Sequence, residues 1–573
     1  MQQLPPLDTR VRAAWQTQVA AAVNTPGLLP AVAQRRQQQL PRFAACYPQL
    51  RALPRRVRRA LQRQWKQSLA GIALLLALGQ GQTLAATLNV SGGCTLLDAI
   101  TAANTDAATG GCSAGSGADT LILQNSSAHT LTTVNNSTYG PTGLPVISSQ
   151  ITIEGHNSTI ERDSGAPNFR IFAVNSSGDL TLQETTVSGG GEASGGGVFN
   201  FGTVTIQNST LSGNTTSISG SGGGVFNSGG TVTIQDSTLS GNAGFESSGG
   251  VFNSGGIVTI QNSTLSGNAG FHSGGGVLNS GGIVTIQNST LSGNSVHPGF
   301  GSGGGVWNSG TVTIQNSTLS GNSASYGGGV SNYGGTLTLV RTLVSGNTAP
   351  TGPEIDNFPN GTVTADNYNL SGHDGNAGVA GFTPGATDVV PAEPLTDILD
   401  PTLADNGGPT FTHALVPDSP ALDASPVDAD CLPTDQRGVP RPQGSACDIG
   451  AFELEASMRV GLDIKPGTSP NPINLKSKGV IPLAILSTAT FDATTVDPST
   501  VCFGDAEDAT QRDCTEAHGK GHIEDVDGDG DLDLVLHYRT QQTGIDPGDT
   551  QACLTGETFE GIAIEGCDSV QTQ

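Results

Sequence analysis

The stretch Gly195-Gly-Gly-Val-Phe-Asn200, followed by Thr203-Val-Thr-Ile-Gln-Asn-Ser-Thr-Leu-Ser-Gly-Asn214, occurs six times in nearly the same form up to Asn347. The valine after the glycines marks each copy, and successive copies lie 24 to 29 residues apart, at Val198, Val225, Val251, Val277, Val306 and Val330. A unit of this length cannot bury an apolar face alone, so the copies must stack on one another as a solenoid.

The composition of the repeat favours strands over helices. Each glycine would cost about 1 kcal/mol inside a helix, and Thr203-Val-Thr-Ile-Gln207 alternates polar and apolar residues as a half-buried strand does. Three short apolar steps separated by Gly or Asn corners describe one coil of a parallel β-helix. We therefore predict an all-β solenoid of coils of about 26 residues, with six coils forming a rod about 29 Å long.

Identical residues of successive coils should lie directly above one another. The asparagines after Val-Phe and those of Ser-Gly-Asn should form two columns whose side-chain amides bond along the axis. Other repeat asparagines match the glycosylation pattern Asn-x-Ser/Thr, namely Asn208, Asn262, Asn288 and Asn316. Because this match recurs with the structural period, we interpret them as turn residues, with glycosylation as the alternative.

Charge separates the N-terminus from the rest of the chain. Residues 1–86 hold 12 of the 24 Lys and Arg residues but only Asp8 among the 49 acids, so the remainder carries a net charge of −36. A basic run from Arg55 to Lys66 precedes the short apolar segment Ile72–Leu78 and a small-residue site near Ala86. This order is typical of a secretory signal. An amphipathic N-terminal anchor is the alternative, and Met1 as the true start stays open.

The cysteine spacing also predicts export. After residue 86, eight cysteines fall as four close couples, which are Cys94 with Cys112, Cys431 with Cys447, Cys502 with Cys514, and Cys553 with Cys567. We predict four local disulfides in an oxidising compartment, although eight cysteines allow other pairings.

Three segments resemble those of known bacterial proteins. The helix-like Gly93–Asn104 and the following Gly117–Leu123 resemble the CSLREA motif of surface β-helix proteins, with Thr-Leu-Leu-Asp in place of Ser-Leu-Arg-Glu. The repeats are similar to those of polymorphic outer-membrane proteins and the pectate-lyase-like group. Residues 400–454 resemble the choice-of-anchor Q region. The resemblance implies a secreted bacterial protein and a right-handed β-helix.

A compact acidic segment follows the rod. Asp525-Val-Asp-Gly-Asp-Gly-Asp-Leu-Asp533 places carboxylates at positions 1, 3, 5 and 9 of a calcium loop and Gly530 at position 6. Position 12 is Leu536, so the motif is not a complete EF-hand and resembles truncated calcium loops. We predict a structural Ca²⁺ held by Asp525, Asp527, Asp529, Asp531 (through its carbonyl) and Asp533. A solvated acidic turn is the alternative.

The pair His518 and His522 could also hold a transition metal, but the Gly-Lys-Gly between them favours an ordinary loop. The chain accordingly divides into 1–86 (signal), 87–194 (N-terminal cap and degenerate first coils), 195–372 (six repeats and a last coil), 373–456 (terminal region) and 457–573 (β-rich, disulfide-bonded domain).

Catalysis on the rod is the less favoured hypothesis. A polysaccharide lyase needs a base and calcium-binding carboxylates, and a glycoside hydrolase needs two paired carboxylates. Only Glu192, Asp236, Glu246 and Arg341 are charged between Val187 and Thr348. Residual catalytic candidates are Arg162, Asp163, Arg170 and Glu184 before the repeats, and Asp428, Asp430, Asp435, Arg437 and Arg441 after them.

The favoured function is a secreted or cell-surface rod that displays loops to a glycan or protein partner. The variable loops bring Phe245, Phe271 and Phe300 to one edge of the rod, where a ligand would bind. The strongly acidic chain disfavours nucleic acid and anionic membranes as partners. We expect a monomer with no membrane span after the signal.

Overall fold

The structure, a computed structural model, describes residues 85–299, 301–455, 458–488, 491–506, 508–559 and 562–573. Residues 193, 218 and 219 are described by their backbone alone. The predicted signal, apart from residues 85 and 86, and the predicted binding residue Phe300 therefore lie outside the described residues.

A short helix packs on the first coils, as the pattern at Gly93–Asn104 predicts. Thr95 caps this helix by accepting the Asp98 N–H, and Leu96, Ile100 and Ala103 are buried in the rod core. The elements before the repeats are β1 (Thr87–Val90), α1 (Leu96–Thr105), β2 (Asp119–Leu123), β3 (Ala128–Leu131), β4 (Gln150–Arg162), β5 (Phe172–Val174), β6 (Asp179–Ser188) and β7 (Gly191–Ser194).

The first four repeats contribute four strands each, one more than the three predicted. The extra strand is the first part of the variable loop. Its backbone forms hydrogen bonds with the preceding coil; for example, Ala269 N donates to Asn242 O at 2.8 Å. The strands of the repeats are β8 (Val198–Asn200), β9 (Thr203–Gln207), β10 (Thr210–Ser212), β11 (Thr215–Ser221), β12 (Val225–Ser228), β13 (Thr231–Gln235), β14 (Thr238–Ser240), β15 (Ala243–Gly244), β16 (Val251–Ser254), β17 (Ile257–Gln261), β18 (Thr264–Ser266), β19 (Ala269–Gly270), β20 (Val277–Ser280), β21 (Ile283–Gln287), β22 (Thr290–Ser292), β23 (Ser295–Val296), β24 (Val306–Asn308), β25 (Thr311–Gln315), β26 (Thr318–Ser320), β27 (Val330–Asn332), β28 (Thr336–Val340) and β29 (Leu343–Val344).

Every coil pairs in parallel with its neighbours, and identical residues meet. Val225, for example, pairs with Val198 on one side and Val251 on the other. The valine after the glycines and the second and fourth residues of each Thr-Val-Thr-Ile-Gln strand point inward and are buried, whereas Ile257 and Ile283, the first residues of β17 and β21, are 47% and 50% exposed. The rod therefore consists of a nineteen-stranded sheet, a nine-stranded sheet and the five-stranded sheet β7, β11, β15, β19 and β23. The predicted β-solenoid is confirmed.

Both predicted asparagine columns form inside the rod. In each column, the side-chain Nδ2 of an asparagine donates to Oδ1 of the asparagine in the next coil, at 2.8 to 3.0 Å. The first column is Asn200, Asn227, Asn253, Asn279, Asn308, Asn332 and Asn357, and the second is Asn214, Asn242, Asn268, Asn294, Asn322 and Asn347.

The Asn-x-Ser/Thr asparagines occupy a left-handed corner of each coil. Asn208, Asn262, Asn288 and Asn316 all have φ between 45° and 47°. Asn tolerates this conformation better than most residues. These positions therefore serve as turn residues, as the recurrence with the structural period predicts.

The terminal region does not simply follow the rod but folds back over its last coils. Thr264 Oγ1 donates to the Phe411 carbonyl, Thr290 Oγ1 donates to Gln436 Oε1, and Ala451 N donates to Thr318 Oγ1. These three threonines occupy the same position in successive coils. Between the repeats and this region, the last coil contains β30 (Ile355–Asn357), β31 (Thr362–Thr364) and β32 (Leu370–Ser371), and the terminal region itself contains β33 (Val379–Ala380) and the 3₁₀ turn Leu395–Asp397.

The C-terminal domain has its own core and two sheets. One sheet consists of β38, β41 and β42, and both β34 and β36 pair with β42. The other sheet has the strand order β35, β37, β40, β39. Its strands are β34 (Met458–Arg459), β35 (Gly461–Ile464), β36 (Asn471–Ile473), β37 (Val480–Leu486), β38 (Val496–Asp505), β39 (His522–Glu524), β40 (Asp533–Arg539), β41 (Gln551–Thr558) and β42 (Ala563–Thr572), with 3₁₀ turns at Ala493–Thr495, Ala509–Gln511 and Thr540–Gln542.

Four disulfides join the eight cysteines in sequential order, namely Cys94–Cys112, Cys431–Cys447, Cys502–Cys514 and Cys553–Cys567. The last of these links directly opposed residues of β41 and β42. Among the described residues, every helix is too short or too polar to cross a membrane.

Candidate functional site

The five-stranded sheet places aromatic rings in a row along one edge of the rod. β15 and β19 pair in register, so the residues that follow them, Phe245 and Phe271, lie one above the other. Their ring centroids are 5.7 Å apart and the rings are within 3° of parallel. Phe245 is 48% exposed, so its ring is open to solvent.

His297 takes the third place in this row. It follows β23 as Phe271 follows β19, and the centroids of Phe271 and His297 are 4.8 Å apart. Phe300, the aromatic residue predicted for this loop, lies outside the described residues, and its prediction stays untested. Counting from Ser-Gly-Asn would have found His297, since Phe245, Phe271 and His297 each lie three residues after that asparagine.

The row lines an open groove of about 670 Å³ that runs along several coils. Small residues make up most of its lining, together with the rings of Phe245, Phe271 and His297. The groove is lined by Thr215, Thr216, Ala243, Gly244, Phe245, Ala269, Gly270, Phe271, Ser295, Val296, His297, Pro298, Ser323, Ala324 and Thr348.

Among the described residues that line the groove, none is Asp, Glu, Lys or Arg, and His297 is the one titratable side chain. Hydroxyl groups of serine and threonine are its main polar donors and acceptors. Such a surface offers flat apolar contact and uncharged hydrogen bonding, but no acid, base or nucleophile pair.

The predicted calcium loop is the turn of a β-hairpin. It connects β39 to β40, and Asp525, Asp527 and Asp529 each bring one carboxylate oxygen within 4.8 Å of the other two. Gly528 and Gly530 adopt φ of 79° and 100°, which lets the backbone curl around the three side chains. All three carboxylates are exposed.

Asp533 has a different position from the other predicted ligands. It is completely buried, and its two oxygens accept the N–H groups of Ser487 and Val526 at 2.8 and 2.9 Å. Its carboxylate thus ties the end of the loop to the C-terminal core and lies outside the cluster of three.

The charged candidates before the repeats make local structural contacts. Arg162 donates to the carbonyls of Asp163, Gly189 and Ala166, and Asp163 accepts the Gly165 N–H. Arg170 packs on the Phe199 ring, with Cζ 4.5 Å from its centroid, and burial lowers its pKa to about 10.

Glu184 occupies the left-handed corner at φ 47°, the same place in its coil as Asn208. Arg170 lies near the carboxylate of Glu192, whose negative charge opposes the lowering of the Arg170 pKa.

The charged candidates after the repeats hold the terminal region together. Arg441 and Glu453 form a completely buried ion pair at 2.8 Å, and Asp435 pairs with Arg437 at 2.8 Å. Asp428 accepts from Arg341 of the rod, and the carbonyl of Asp430 accepts from Gln315 Nε2. These contacts indicate that the charged side chains stabilise the fold of the terminal region.

Comparison with known proteins assigns the chain to no family. The chain matches no family model and no curated protein. A search of solved structures finds "Crystal structure of pectate lyase Pel9A", with a TM-score of 0.43 and 16% sequence identity, covering 65% of this chain and 98% of that chain.

Proposed function

We propose that the protein is a non-catalytic extracellular β-helix that binds a neutral glycan chain in the groove along β11, β15, β19 and β23. The observation that carries this proposal is the parallel stack of the exposed Phe245 on Phe271, in a groove whose described lining has no Asp, Glu, Lys or Arg. The four disulfides support a location outside the cytoplasm.

The chemistry of the groove fits sugar rings. A pyranose presents a face of C–H groups, which packs on the electron-rich face of an aromatic ring, and a rim of hydroxyls. In the groove, the rings of Phe245 and Phe271 would take the C–H faces, and the hydroxyls of the lining residues Ser295 and Ser323 would bond the rim. Because the groove extends over several coils, a chain of sugars fits it better than a single one.

Charge favours a neutral glycan over an acidic one. The groove has no Lys or Arg to pair with a carboxylate or sulfate, and the exposed Glu246 lies next to Phe245. The chain after residue 86 carries a net charge of −36, which repels polyanions at low salt.

Binding without cleavage follows from the same lining. A glycoside hydrolase needs two carboxylates facing the scissile bond, and a lyase needs a base next to the sugar. The described groove residues include no pair of carboxylates, and His297, the one group there that could act as a base, has no calcium-binding carboxylate beside it in the lining.

The test compares ring deletions on two faces of the rod. The protein is run in affinity electrophoresis against a panel of neutral and acidic polysaccharides. We expect a neutral polysaccharide to slow its migration. Phe245→Ala with Phe271→Ala should weaken binding about tenfold or more, since 1.4 kcal/mol corresponds to a factor of ten. Phe226→Ala is the matched control, because that ring stacks on Phe199 and lies outside the groove lining.

Two outcomes would contradict the proposal. Equal loss of binding in the double variant and in Phe226→Ala would place the binding site elsewhere. New reducing or unsaturated ends in the polysaccharide would show that the protein is an enzyme.

We infer in addition that the hairpin loop Asp525–Asp533 binds one Ca²⁺ with a structural role. Three converging carboxylates supply hard oxygen ligands, and without a cation they repel one another. The buried Asp533 anchors the loop to the core of the domain, so ion binding there would stabilise the hairpin.

A further inference from the structure

Three histidines and one buried glutamate meet beside the hairpin that carries the aspartate loop. His522 lies on β39, His537 lies on β40, and Glu516 and His518 lie in the segment just before β39. The ring centroids of His537 and His518 are 4.7 Å apart, and those of His537 and His522 are 5.6 Å apart. The cluster has no part in the proposed glycan groove or calcium loop.

The backbone holds the Glu516 carboxylate in place. Its Oε2 accepts the N–H groups of His518 and Lys520 at 2.7 and 3.0 Å, and its Oε1 accepts the N–H of His537 at 3.0 Å. The side chain is only 4% exposed. Oε1 therefore has a set position and a lone pair still available.

Two imidazole nitrogens face that oxygen at similar distances. Nδ1 of His518 lies 3.8 Å from Oε1, and Nδ1 of His537 lies 3.7 Å from it. Both distances exceed those of hydrogen bonds. Nδ1 of His537 is buried and makes no hydrogen bond in the described structure.

These distances suit a metal ion between the three atoms. Ligands about 2.0 to 2.1 Å from a tetrahedral zinc ion lie about 3.4 Å apart. One ligand atom each from Glu516, His518 and His537 already lies within 4.8 Å of the other two. Side-chain movements of a few tenths of an ångström would bring both Nδ1 atoms to that distance from Oε1.

We propose that Glu516, His518 and His537 bind a divalent transition-metal ion such as Zn²⁺. Two imidazoles and one carboxylate match the preference of this class of ion for nitrogen ligands and differ from the all-oxygen set of the aspartate loop. Three protein ligands leave a fourth position, which the exposed side of His518 leaves accessible to water. His522, stacked beside His537, forms a neighbouring wall of the site.

The sequence suggested a different combination. His518 and His522 stand out because they are close in the chain, and the flexible Gly-Lys-Gly between them favoured a simple loop. The structure instead joins His518 to Glu516 and to His537, which arrives from the other strand of the hairpin.

A protonated histidine paired with Glu516 is the competing explanation of the cluster. That explanation predicts no metal binding, so a single metal titration distinguishes it from the proposed metal site. The full chain, produced without a polyhistidine tag, is stripped with chelator, returned to excess Ca²⁺ and titrated with Zn²⁺ in a calorimeter. Co²⁺ is then added to a second sample, and its visible absorption reports the coordination number.

We expect one Zn²⁺ per chain with a dissociation constant tighter than about 10 µM. The Co²⁺ form should show the intense visible band of four-coordinate ligation. His518→Ala and His537→Ala should each weaken Zn²⁺ binding about tenfold or more. His272→Ala, which removes an exposed imidazole on the rod, should bind as the unaltered protein does.

Because His518 is 60% exposed, its replacement leaves the domain folded, and an unchanged melting temperature without metal checks this. Absence of stoichiometric Zn²⁺ binding in the unaltered protein would overturn the proposal. So would Zn²⁺ binding that is the same in His518→Ala, His537→Ala and His272→Ala. Neither result would affect the glycan or calcium proposals.

Discussion

At the scale of single residues, the asparagine columns show how a polar group can belong to a core. Asn268 accepts the backbone and side-chain N–H groups of Asn242 and donates to Asn294 and to the Leu239 carbonyl. Each of these groups is buried, so the amide has to be satisfied within the rod. The repetition of Ser-Gly-Asn in the sequence was sufficient to predict this column, because the interaction depends on register alone.

Replacing Asn268 with Ala should lower the free energy of unfolding by about 2 to 4 kcal/mol, since it leaves buried donors and acceptors without partners. Denaturant unfolding followed by circular dichroism measures the change. Ser280→Ala, in the same part of the rod but exposed, should change stability by less than about 0.5 kcal/mol. Similar losses in both variants would argue against a structural role of the column.

Glu354 ends the second asparagine column and makes stability depend on pH. Burial raises the pKa of its carboxyl to about 8, although hydrogen bonds from Asn347 and Gly346 act in the opposite direction. His373 is its nearest titratable neighbour, with Nδ1 3.9 Å from Oε1.

Between the ordinary pKa of a glutamate and this raised one, the folded protein keeps a proton that the unfolded chain releases. The free energy of unfolding therefore falls as pH rises, by up to about 1.4 kcal/mol per pH unit. Glu354→Gln should flatten the decline in melting temperature from about pH 5 to about pH 8. The exposed Glu393→Gln should leave it unchanged, and an unaltered slope in Glu354→Gln would refute the assignment.

At the scale of the element, one coil is the unit of the fold, and the sequence predicts it well. Period, strand alternation and corner residues all repeat, so the strands of the coil and their register follow from the pattern. The additional strand at Ala269–Gly270 was not predicted, because it is two residues long and its sequence carries no apolar alternation. Only its backbone bonds to neighbouring coils define it, and these become visible once the coils are stacked.

Deleting Gly255–Ser280, a full coil, should leave a folded rod. The deletion joins Ser254 to Gly281, which restores the same Ser-Gly-Gly sequence, and Thr238 then occupies the place of Thr264 beneath the terminal region. We expect an unchanged β-sheet circular dichroism spectrum and weaker glycan binding, because the Phe271 ring is lost. Deleting Gly255–Gly267, half a coil, breaks the register and should give no soluble folded protein.

At the scale of the whole molecule, the long-range arrangement was the hardest to predict. Residues 373–456 were expected to follow the rod, yet they fold back along it through Gln436, His413 and Ala451. These contacts join groups more than a hundred residues apart and leave no periodic signal in the sequence. The contact of His537 with Glu516, 21 residues earlier, likewise leaves no periodic signal.

The separate cores of the rod and the C-terminal domain predict two thermal transitions in calorimetry. Removing Ca²⁺ with EGTA should lower only the transition of the C-terminal domain, because the aspartate loop lies in its hairpin. Asp527→Asn with Asp529→Asn should make that transition insensitive to EGTA, whereas Asp546→Asn, an exposed acid elsewhere in the domain, should not. A shift of both transitions, or of neither, would contradict a structural calcium in this loop.

The coverings at the two ends of the rod bear on its behaviour at high concentration. A stack of parallel strands presents unpaired backbone groups at each end, which invite a second molecule to add as fibrils do. Helix α1 packs against the first coils, and beyond the last one the chain turns through Val389 and Pro391, whose carbonyls accept from Ser371 and Gly375. Proline has no N–H with which to continue a sheet. We expect these coverings to hinder the end-to-end growth that the repeat itself would otherwise template.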